Sequence, residues 1–463
     1  MNLSKKYPTN IFFVGIGGSG MSGLAEVLLN LGYTVSGSDI KATTITERLS
    51  SLGINIVVGH KASNIGVADM IVKSAAIEES NPELLEAQKL SLPVLERAEL
   101  LSSLMNMKRG IAIAGTHGKT TTTSLLASIM TEAMLDPTFI NGGIIKSFAS
   151  NAKLGAGEYL IAEADESDKS FLMLQPSLEI ITNIGDDHLR NYENDLHNLE
   201  KAFLEFIKKL PFNGLLVACG DDPIIKKLAP LFTRKTIFYG FEEKNDYIIS
   251  NYQVLGLTSK FTLSNSEGNS FDLQLNLTGR HNVLNATASS VLALEEGISI
   301  LNIQSALEKF SGINRRMQFL GKLGKTSVID DYGHHPTEIR NTILALRESF
   351  PKEKITMVFQ PHRFSRTKDL FKEFVEVLLL VDNLILLEIY PAGEKILKEV
   401  SSSKLLKNIR DKGLKSAELA SSKEEAIKLV ECSSKKEGGV LLIQGAGSIS
   451  DISEILIKKM KFN

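Results

Sequence analysis

The stretch AGTHGKTTTT, residues 114–123, ends in Gly118-Lys119-Thr120, the close of a phosphate-binding loop. The usual pattern G-x-x-x-x-G-K-[ST] asks for glycine at 113, where this chain has Ile113. Context decides the reading. GIAIAG, from 110, is a buried-strand pattern and TTTSLLASIMTEAM reads as a helix, so Gly115 to Lys119 fall at a strand-to-helix turn. At such a turn free N–H groups and the helix dipole favour phosphate. Lys119 is expected on the outer phosphates, and the Thr120 hydroxyl on Mg2+.

A magnesium-phosphate site also needs acidic oxygens at the same sheet edge. YLIAEADESD brings Glu163, Asp165, Glu166 and Asp168 to the carboxyl end of the next apolar run, where an acid reaches Mg2+. LEIITNIGDDH ends likewise in Asp186, Asp187 and His188.

Working outward, short apolar runs ending in Gly, Asp or Ser alternate with amphipathic segments almost throughout, the signature of parallel-sheet α/β units. IFFVGIG, YTVSGSD, NIVVGH and MIVKSAAI form a first series, followed by a helical stretch from Glu96 to Met107. GIAIAG, YLIAEAD, LEIITNIG, GLLVACG and TIFYG form a second, ending in a β-like patch near 246–277 and the helix-like HNVLNATASSVLALEEG. TSVIDDYG, KITMVFQ, NLILLEIY and GGVLLIQGAG form a third. The predicted fold is α/β in three domains, 1–107, 108–318 and 319–463. They read as N-terminal Rossmann-like, central P-loop ATPase-like and C-terminal Rossmann-like.

GIGGSG, Gly15 to Gly20, follows a strand and opens a helix, and Asp39 ends the next strand about twenty residues on. NAD is one inference; another diphosphate fits equally, because the motif specifies a pyrophosphate at a helix N-terminus. QGAGSI at 444–449 reads as a structural glycine turn. In the third unit, DDYGHHP (330–336) and QPHRFSR (360–366) bring histidines, Tyr332 and the pair Arg363 and Arg366. Histidine pairs suggest a metal or, with Tyr332 and Pro336, a ribose and base platform. Arginines can clamp a carboxylate or phosphate by bidentate hydrogen bonds.

Composition excludes other classes. The 463 residues carry 52 Lys+Arg against 54 Asp+Glu, with no basic tract, so nucleic acid is not expected as a partner. Cys219 and Cys432 are the only cysteines, which fits a reducing cytosol and a cytoplasmic protein. No apolar stretch approaches the ~18 residues that cross a bilayer, so no membrane insertion is expected.

GTHGKTTTT, AEADESDKSFL, TNIGDDH, GRHNVLNA (279–286), NRRMQ (314–318) and DDYGHHPTEI resemble the Mur ligases, ATP-dependent amide-bond formers of bacterial peptidoglycan synthesis. The similarity covers nearly the whole chain. Within that family, GIGGSGMSGLAEVLLNLGY with GTHGKT is most similar to members that join L-alanine to UDP-N-acetylmuramate; the muropeptide-recycling relative differs in this glycine loop. The shorter GTHGKT loop of the family also accounts for Ile113. The resemblance implies ATP with Mg2+ on the central domain, a UDP-sugar on the first and a mobile third domain. Gly115, Thr116, His117, Gly118, Lys119, Thr120 and Thr121 would bind ATP, with His281, Asn282 and Asn285 on the adenine. Arg316 would reach the γ-phosphate, and Asp331 and Tyr332 the nucleotide. Thr120, Glu166 and His188 would hold metal; Gly15, Gly17, Gly18, Gly20, Asp39 and Ser74 the UDP-sugar. His334, Arg363 and Arg366 would take the amino acid, the two arginines also facing the acyl phosphate. Lys119, Glu166, His188, Arg363 and Arg366 would be the catalytic set. Arg190 and Lys73 depart from the family pattern, and Lys201 does not match the family's carbamoylated lysine.

The expected activity is ligation of L-alanine to the UDP-N-acetylmuramate carboxylate through an acyl phosphate, by a monomer or homodimer. Two other classes compete. A nicotinamide oxidoreductase would use GIGGSG and leave GTHGKT idle; a non-catalytic nucleotide switch would leave the three ligand-bearing units unexplained.

Overall fold

The computed structural model of the chain describes residues 8–187 and 189–461. They form three sheets. In the first, strands Asn10–Val14, Thr34–Asp39, Asn55–Val58, Met70–Lys73 and Val94–Glu96 lie in spatial order third, second, first, fourth, fifth, all parallel. Strand order reverses at Asn10–Val14, so the loop after Val14 opens at the switch point where such sheets take ligands. Phe12, Phe13 and Val14 are buried, as a sheet covered on both faces requires. Each such side chain contributes about 1.5–3 kcal/mol. The helix expected from Glu96 runs Arg97–Met105, with Glu96 as its N-cap in a capping box with Glu99.

The second sheet has ten strands. Its parallel centre runs Lys235–Gly240, Leu215–Cys219, Leu178–Ile181, Arg109–Ala114, Tyr159–Glu163 and Thr138–Ile145, and Ser150–Lys153 closes one side antiparallel. Ile181 pairs with Ala114 and Ala218, and Ile113 with Glu163, so these strands end together. Tyr247–Leu255, Thr258–Asn265 and Ser270–Leu275 extend the other side, in the patch where polar alternation predicts strands.

The third sheet runs Gln318–Leu323, Thr326–Asp331, Gly439–Gln444, Ile355–Phe359, Asn383–Leu387 and Ala417–Ala420. Only its first strand is antiparallel. Apolar side chains of helices Pro336–Ser349, Phe371–Leu378 and Ser402–Asp411 pack in one core cluster, and those of Lys423–Glu437 and Ser450–Lys461 in another. The fold is therefore the α/β architecture the sequence predicts, with three sheet-bearing parts.

These parts fall into two compact units. Met1–Asn251, Phe261–Leu273 and Leu284–Phe310 make one; Tyr252–Lys260, Gln274–Val283 and Ser311–Asn463 make the other. Within the first unit, helix Ser19–Asn30 of the first sheet packs on Thr138–Ile145 and Ser150–Lys153 of the second. The approach is close: a Cβ at Gly23 would lie 3.1 Å from the Ala152 Cβ. Arg48 locks it, with Nη2 donating to Glu26 Oε1 at 2.8 Å and to Ser150 Oγ at 3.0 Å. No helix among the described residues is long and apolar enough to cross a membrane.

Candidate functional site

The phosphate-binding loop is shaped by two glycines that no other residue replaces cheaply. Gly115 has φ +127° and Gly118 φ +90°. A Cβ at Gly115 would lie 2.2 Å from Thr182 Oγ1, and one at Gly118 2.4 Å from Asn285 Oδ1. Gly118 then starts helix Lys119–Glu132 with no side-chain cap, so the first-turn amides are left for an anion.

Neighbouring strand ends grip the loop. Asn183 Oδ1 accepts from the His117 amide at 2.9 Å, while Asn183 Nδ2 and Thr182 Oγ1 donate to the His117 carbonyl at 2.9 and 2.6 Å. Gly185 N donates to Thr116 Oγ1 at 2.7 Å. Thr182 and Asn183 lie in the quoted TNIGDDH, but nothing in the sequence says that they, and not the acids after them, hold the loop.

Lys119 folds back onto its own loop. Nζ donates to Gly115 O at 2.6 Å, Thr116 O at 3.3 Å and Glu166 Oε2 at 2.7 Å. Burial works to lower the pKa of this ammonium, but Glu166, Asp165 and Glu163 more than offset it and hold it above its ordinary value. Burial pushes Glu166 up to about 7, against the pull of Lys119. Asp165 is also opposed by burial, yet Lys119 and the Ser167 amide keep it below the usual carboxylate range. Tyr192 supports the acidic loop from beneath, its hydroxyl donating to the Glu166 carbonyl at 2.6 Å.

The second Glu166 oxygen, Oε1, is buried with no hydrogen-bond partner. An unpaired buried carboxylate oxygen is costly, and hard divalent cations take carboxylate and hydroxyl oxygens. Thr120, buried on the helix's first turn, carries such a hydroxyl. The residues present therefore fit Mg2+. His188, predicted as a further metal ligand, lies outside the described residues.

In the first sheet, Gly15 adopts φ +79°. The Gly17 amide donates to Asp39 Oδ2 at 2.8 Å, so Asp39 holds the glycine loop itself. Gly18 caps helix Ser19–Asn30 without a side-chain bond, and Gly20 has the Arg97 guanidinium 3.2 Å from its would-be Cβ. Ser74 lies against Gly15, whose would-be Cβ is 3.3 Å from the Ser74 Cβ. Lys73 is tied to Glu79 and, at 3.0 Å, to Glu96, which raises its pKa.

In the helix Arg280–Glu295, Asn282 Nδ2 donates to the Thr278 carbonyl at 2.8 Å, and a Cβ at Gly279 would lie 2.8 Å from the His281 ring. In the second unit, Asp331 is buried and fully engaged, accepting from Met317 N, Gly333 N, Gln444 Nε2 and Thr342 Oγ1. It anchors the turn that carries Tyr332. Arg315 and Arg316 each lie 5.2 Å from the Tyr332 ring centroid. His334 stands edge-on to Tyr332 and 5.5 Å from His362, which stacks on Tyr390. Arg366 Nη1 is 3.4 Å from His362 Nδ1, and Arg363 starts the short helix Phe364–Asp369 at φ +72°. Burial lowers His334 to about 4 and His362 to about 3, so both imidazoles are neutral at pH 7. His362 sits in the same QPHRFSR motif as the arginines, and Tyr390 joins them only through the fold. The QGAGSI turn is structural: Gly445 N donates to Asp331 O at 3.1 Å, and Ile449 N to Gln360 Oε1 at 3.0 Å.

The fold and the loop define an α/β protein in which a glycine turn at a helix N-terminus, of phosphate-binding-loop pattern, faces the buried Glu166. Three family models match it in sequence: "Mur ligase family, catalytic domain" over residues 10–109, "Mur ligase middle domain" over 113–293 and "Mur ligase, glutamate ligase domain" over 315–447. The chain belongs to the Mur ligase family, the ATP-dependent ligases of peptidoglycan synthesis. Among solved structures it is similar to a UDP-N-acetylmuramate-alanine ligase, MurC, from Thermotoga maritima, at 31% identity, covering 98% of this chain and 99% of that one, with a TM-score of 0.85. It is also similar to a murein peptide ligase from Psychrobacter arcticus, at 25% identity over 97% and 98% of the two chains, TM-score 0.73. The fold is shared with a MurF ligase from Thermotoga maritima in complex with ADP, at 17% identity over 92% and 95%, TM-score 0.62.

Proposed function

We propose that this chain joins L-alanine to the carboxylate of UDP-N-acetylmuramate, using ATP and Mg2+. The observation that carries the nucleotide half is the Lys119–Glu166 pair at the mouth of the GTHGKT loop, with Glu166 Oε1 left unpartnered. Support for alanine over later stem-peptide residues is the likeness to the Thermotoga alanine ligase along almost the full chain.

The chemistry follows from the substrates. A carboxylate resists attack by an amine, so its oxygen first attacks the γ-phosphorus of ATP; ADP leaves and an acyl phosphate forms. The amine nitrogen then attacks the acyl carbon, phosphate departs, and the ammonium proton is lost. No covalent nucleophile of the protein is needed, only positioning and charge neutralisation. Residues Gly115 to Thr121 hold the phosphates and Asn285 the adenine side of the loop. His281 and Asn282 extend that nucleotide set, Arg316 serves the γ-phosphate, and Tyr332 is held for the nucleotide by Asp331. Thr120 and Glu166, with His188, would hold Mg2+, which supplies a Lewis acid for the transferred phosphoryl group. Gly15, Gly17, Gly18, Gly20 and Ser74 take the diphosphate of the UDP-sugar, with Asp39 bracing their loop. Arg363, Arg366 and His334 take the alanine carboxylate and face the acyl phosphate. Residues 1–107, 108–318 and 319–463 thus carry the UDP-sugar, ATP and amino acid respectively.

ADP release with UDP-N-acetylmuramate and each amino acid in turn tests the reading. Turnover with L-alanine well above all others is expected. Turnover that depends on a tripeptide and is absent with single amino acids would move the assignment to the murein peptide ligase.

A further inference from the structure

The third sheet carries Asp331 and the Tyr332 turn at the carboxyl ends of its strands, and at their amino ends it encloses a cavity of about 280 Å³. On the face covered by helix Lys423–Glu437, the strands bring Val328, Val358 and Ile385 into an apolar core. Side chains two residues back along a strand share that face, so Thr326, Thr356 and Asn383 form the next row towards the amino ends. All three line the cavity. Leu441 and Ile385 of the sheet, with Leu429 and Val430 of the helix, supply its apolar wall.

The polar row is only partly satisfied. Asn383 Nδ2 donates to Thr356 Oγ1 at 3.1 Å. Thr326 is 3% exposed, and its Oγ1 has no hydrogen-bond partner among the described residues. Valine has the same shape and would stand there at no such cost, so the hydroxyl calls for a partner. Charge narrows what that partner can be. Among the described residues of the wall only Lys354 and Glu418 are charged; both are exposed, and their signs are opposite. An ion entering the cavity would leave water with no buried counter-charge to receive it. Size narrows it further: a volume just under the ~300 Å³ at which sites for drug-sized ligands begin takes roughly ten non-hydrogen atoms.

We propose that this cavity binds a small, uncharged, largely apolar ring compound carrying one hydrogen-bonding group. The ring rests on Leu441, Ile385, Leu429 and Val430, and the polar group meets Thr326. Thr326 and Asp331 are the two ends of one strand, about 17 Å apart, so an occupant here leaves the Tyr332 turn open.

Cys432 lines the cavity and is exposed, whereas Cys219 is buried, so labelling by N-ethylmaleimide reports on the cavity mouth. The labelling rate is followed on the full chain by mass spectrometry, with indole or toluene as the probe and free cysteine as the reference thiol. Indole, which has one N–H, is expected to slow labelling of Cys432 with a half-effect on the order of 1 mM, as befits a ligand of its size. Thr326→Val keeps the shape and should weaken indole about three- to tenfold while leaving toluene unchanged. Leu429→Trp fills the cavity and should abolish protection by both probes; melting curves establish that each variant folds. Labelling of the wild type that about 10 mM indole does not slow, or protection that persists in a folded Leu429→Trp, overturns the site. Indole and toluene affected alike by Thr326→Val overturns the role of the hydroxyl and the ligand class with it. If Leu429→Trp does not fold, Thr326→Val, which adds no bulk, decides through the difference between the two probes.

Discussion

Replacing Lys119 by methionine keeps the volume of its stem and removes the charge. The structure ties that charge to two functions at once. Nζ stands 2.7 Å from Glu166 Oε2, which at an effective dielectric of about 20 corresponds to an attraction of about 6 kcal/mol before desolvation is subtracted. Glu166 is held at about 7 with this ammonium beside it. Without it the carboxyl rises further and is protonated at pH 7. Each tenfold rise in its proton affinity costs about 1.4 kcal/mol to reverse before it can bind a cation, a tenfold rise in the Mg2+ needed. The ammonium also neutralises charge on the transferred phosphoryl group, a contact of the kind worth 10²–10³ in kcat, or about 2.7–4 kcal/mol. Lys119→Met should therefore lower kcat by about 10²–10³ and raise the half-saturating Mg2+ at least tenfold at pH 7. Coupled ADP-release assays with Mg2+ titrated at fixed substrates read both numbers. A kcat within about threefold of wild type would refute the phosphoryl role. A lowered kcat with an unmoved magnesium curve would refute the coupling of Lys119 to Glu166.

Further consequences are testable separately. Glu166→Gln preserves shape and the Lys119 contact but removes the anionic oxygen, so the Mg2+ requirement should rise in activity assays; an unchanged titration would show that Oε1 holds no metal. Gly118→Ala places a Cβ 2.4 Å from Asn285 Oδ1 at φ +90°, and should raise KM for ATP while leaving UDP-sugar binding intact; normal ATP kinetics would mean the loop relaxes freely. Glu179 is fully buried with neither oxygen partnered, and burial raises it well above its ordinary 4.5. A raised folded-state value means stability fully present below pH 4.5 and lost as pH climbs. Glu179→Leu should thus gain about 1–3 kcal/mol in urea unfolding at pH 8 and less at pH 4.5; a gain independent of pH would mean that the carboxyl is not the cause. Titration of the full chain with NADH should give no heat, and tight binding there would favour the oxidoreductase reading of GIGGSG.

How far the sequence reaches depends on whether a feature is local. Central strands such as Arg109–Ala114 and Gly439–Gln444 are buried on both faces and read as unbroken apolar runs. The hairpin Thr138–Ile145 and Ser150–Lys153 carries Gly142-Gly143, Asn141 and Asn151, which break that pattern. Gln318–Leu323 and Ala417–Ala420 lie at the two edges of their sheet, where alternation is weak: no residue of the first is fully buried and only the end residues of the second are. The GTHGKT turn needs only its own glycines and the helix after it, so it is legible. Asn183, Asn285 and Tyr390 act through partners distant in the chain, and nothing in their immediate sequence announces it.

The acidic loop shows the same limit inside one motif. In EADESD the four carboxylates at 163, 165, 166 and 168 are equivalent to a reader of the sequence, yet the backbone gives each a different task. Glu163 accepts from the Gly142 amide at 2.6 Å, Asp165 from Ser167 at 2.9 Å, and Asp168 from Ser170 at 2.9 Å. The first bond reaches across to the neighbouring strand, and the other two are local turn bonds beside a left-handed residue, Lys169 at φ +64°. Glu166 alone turns inward, where the Tyr192 hydroxyl fixes its carbonyl and Lys119 takes one oxygen. The three outer acids satisfy backbone amides and so shape the loop. The inner one is left with an oxygen that only a cation or a proton can satisfy, and a value near 7 means either can be present at the working pH. The same turn that hides Glu166 from solvent is thus what makes it competent for metal.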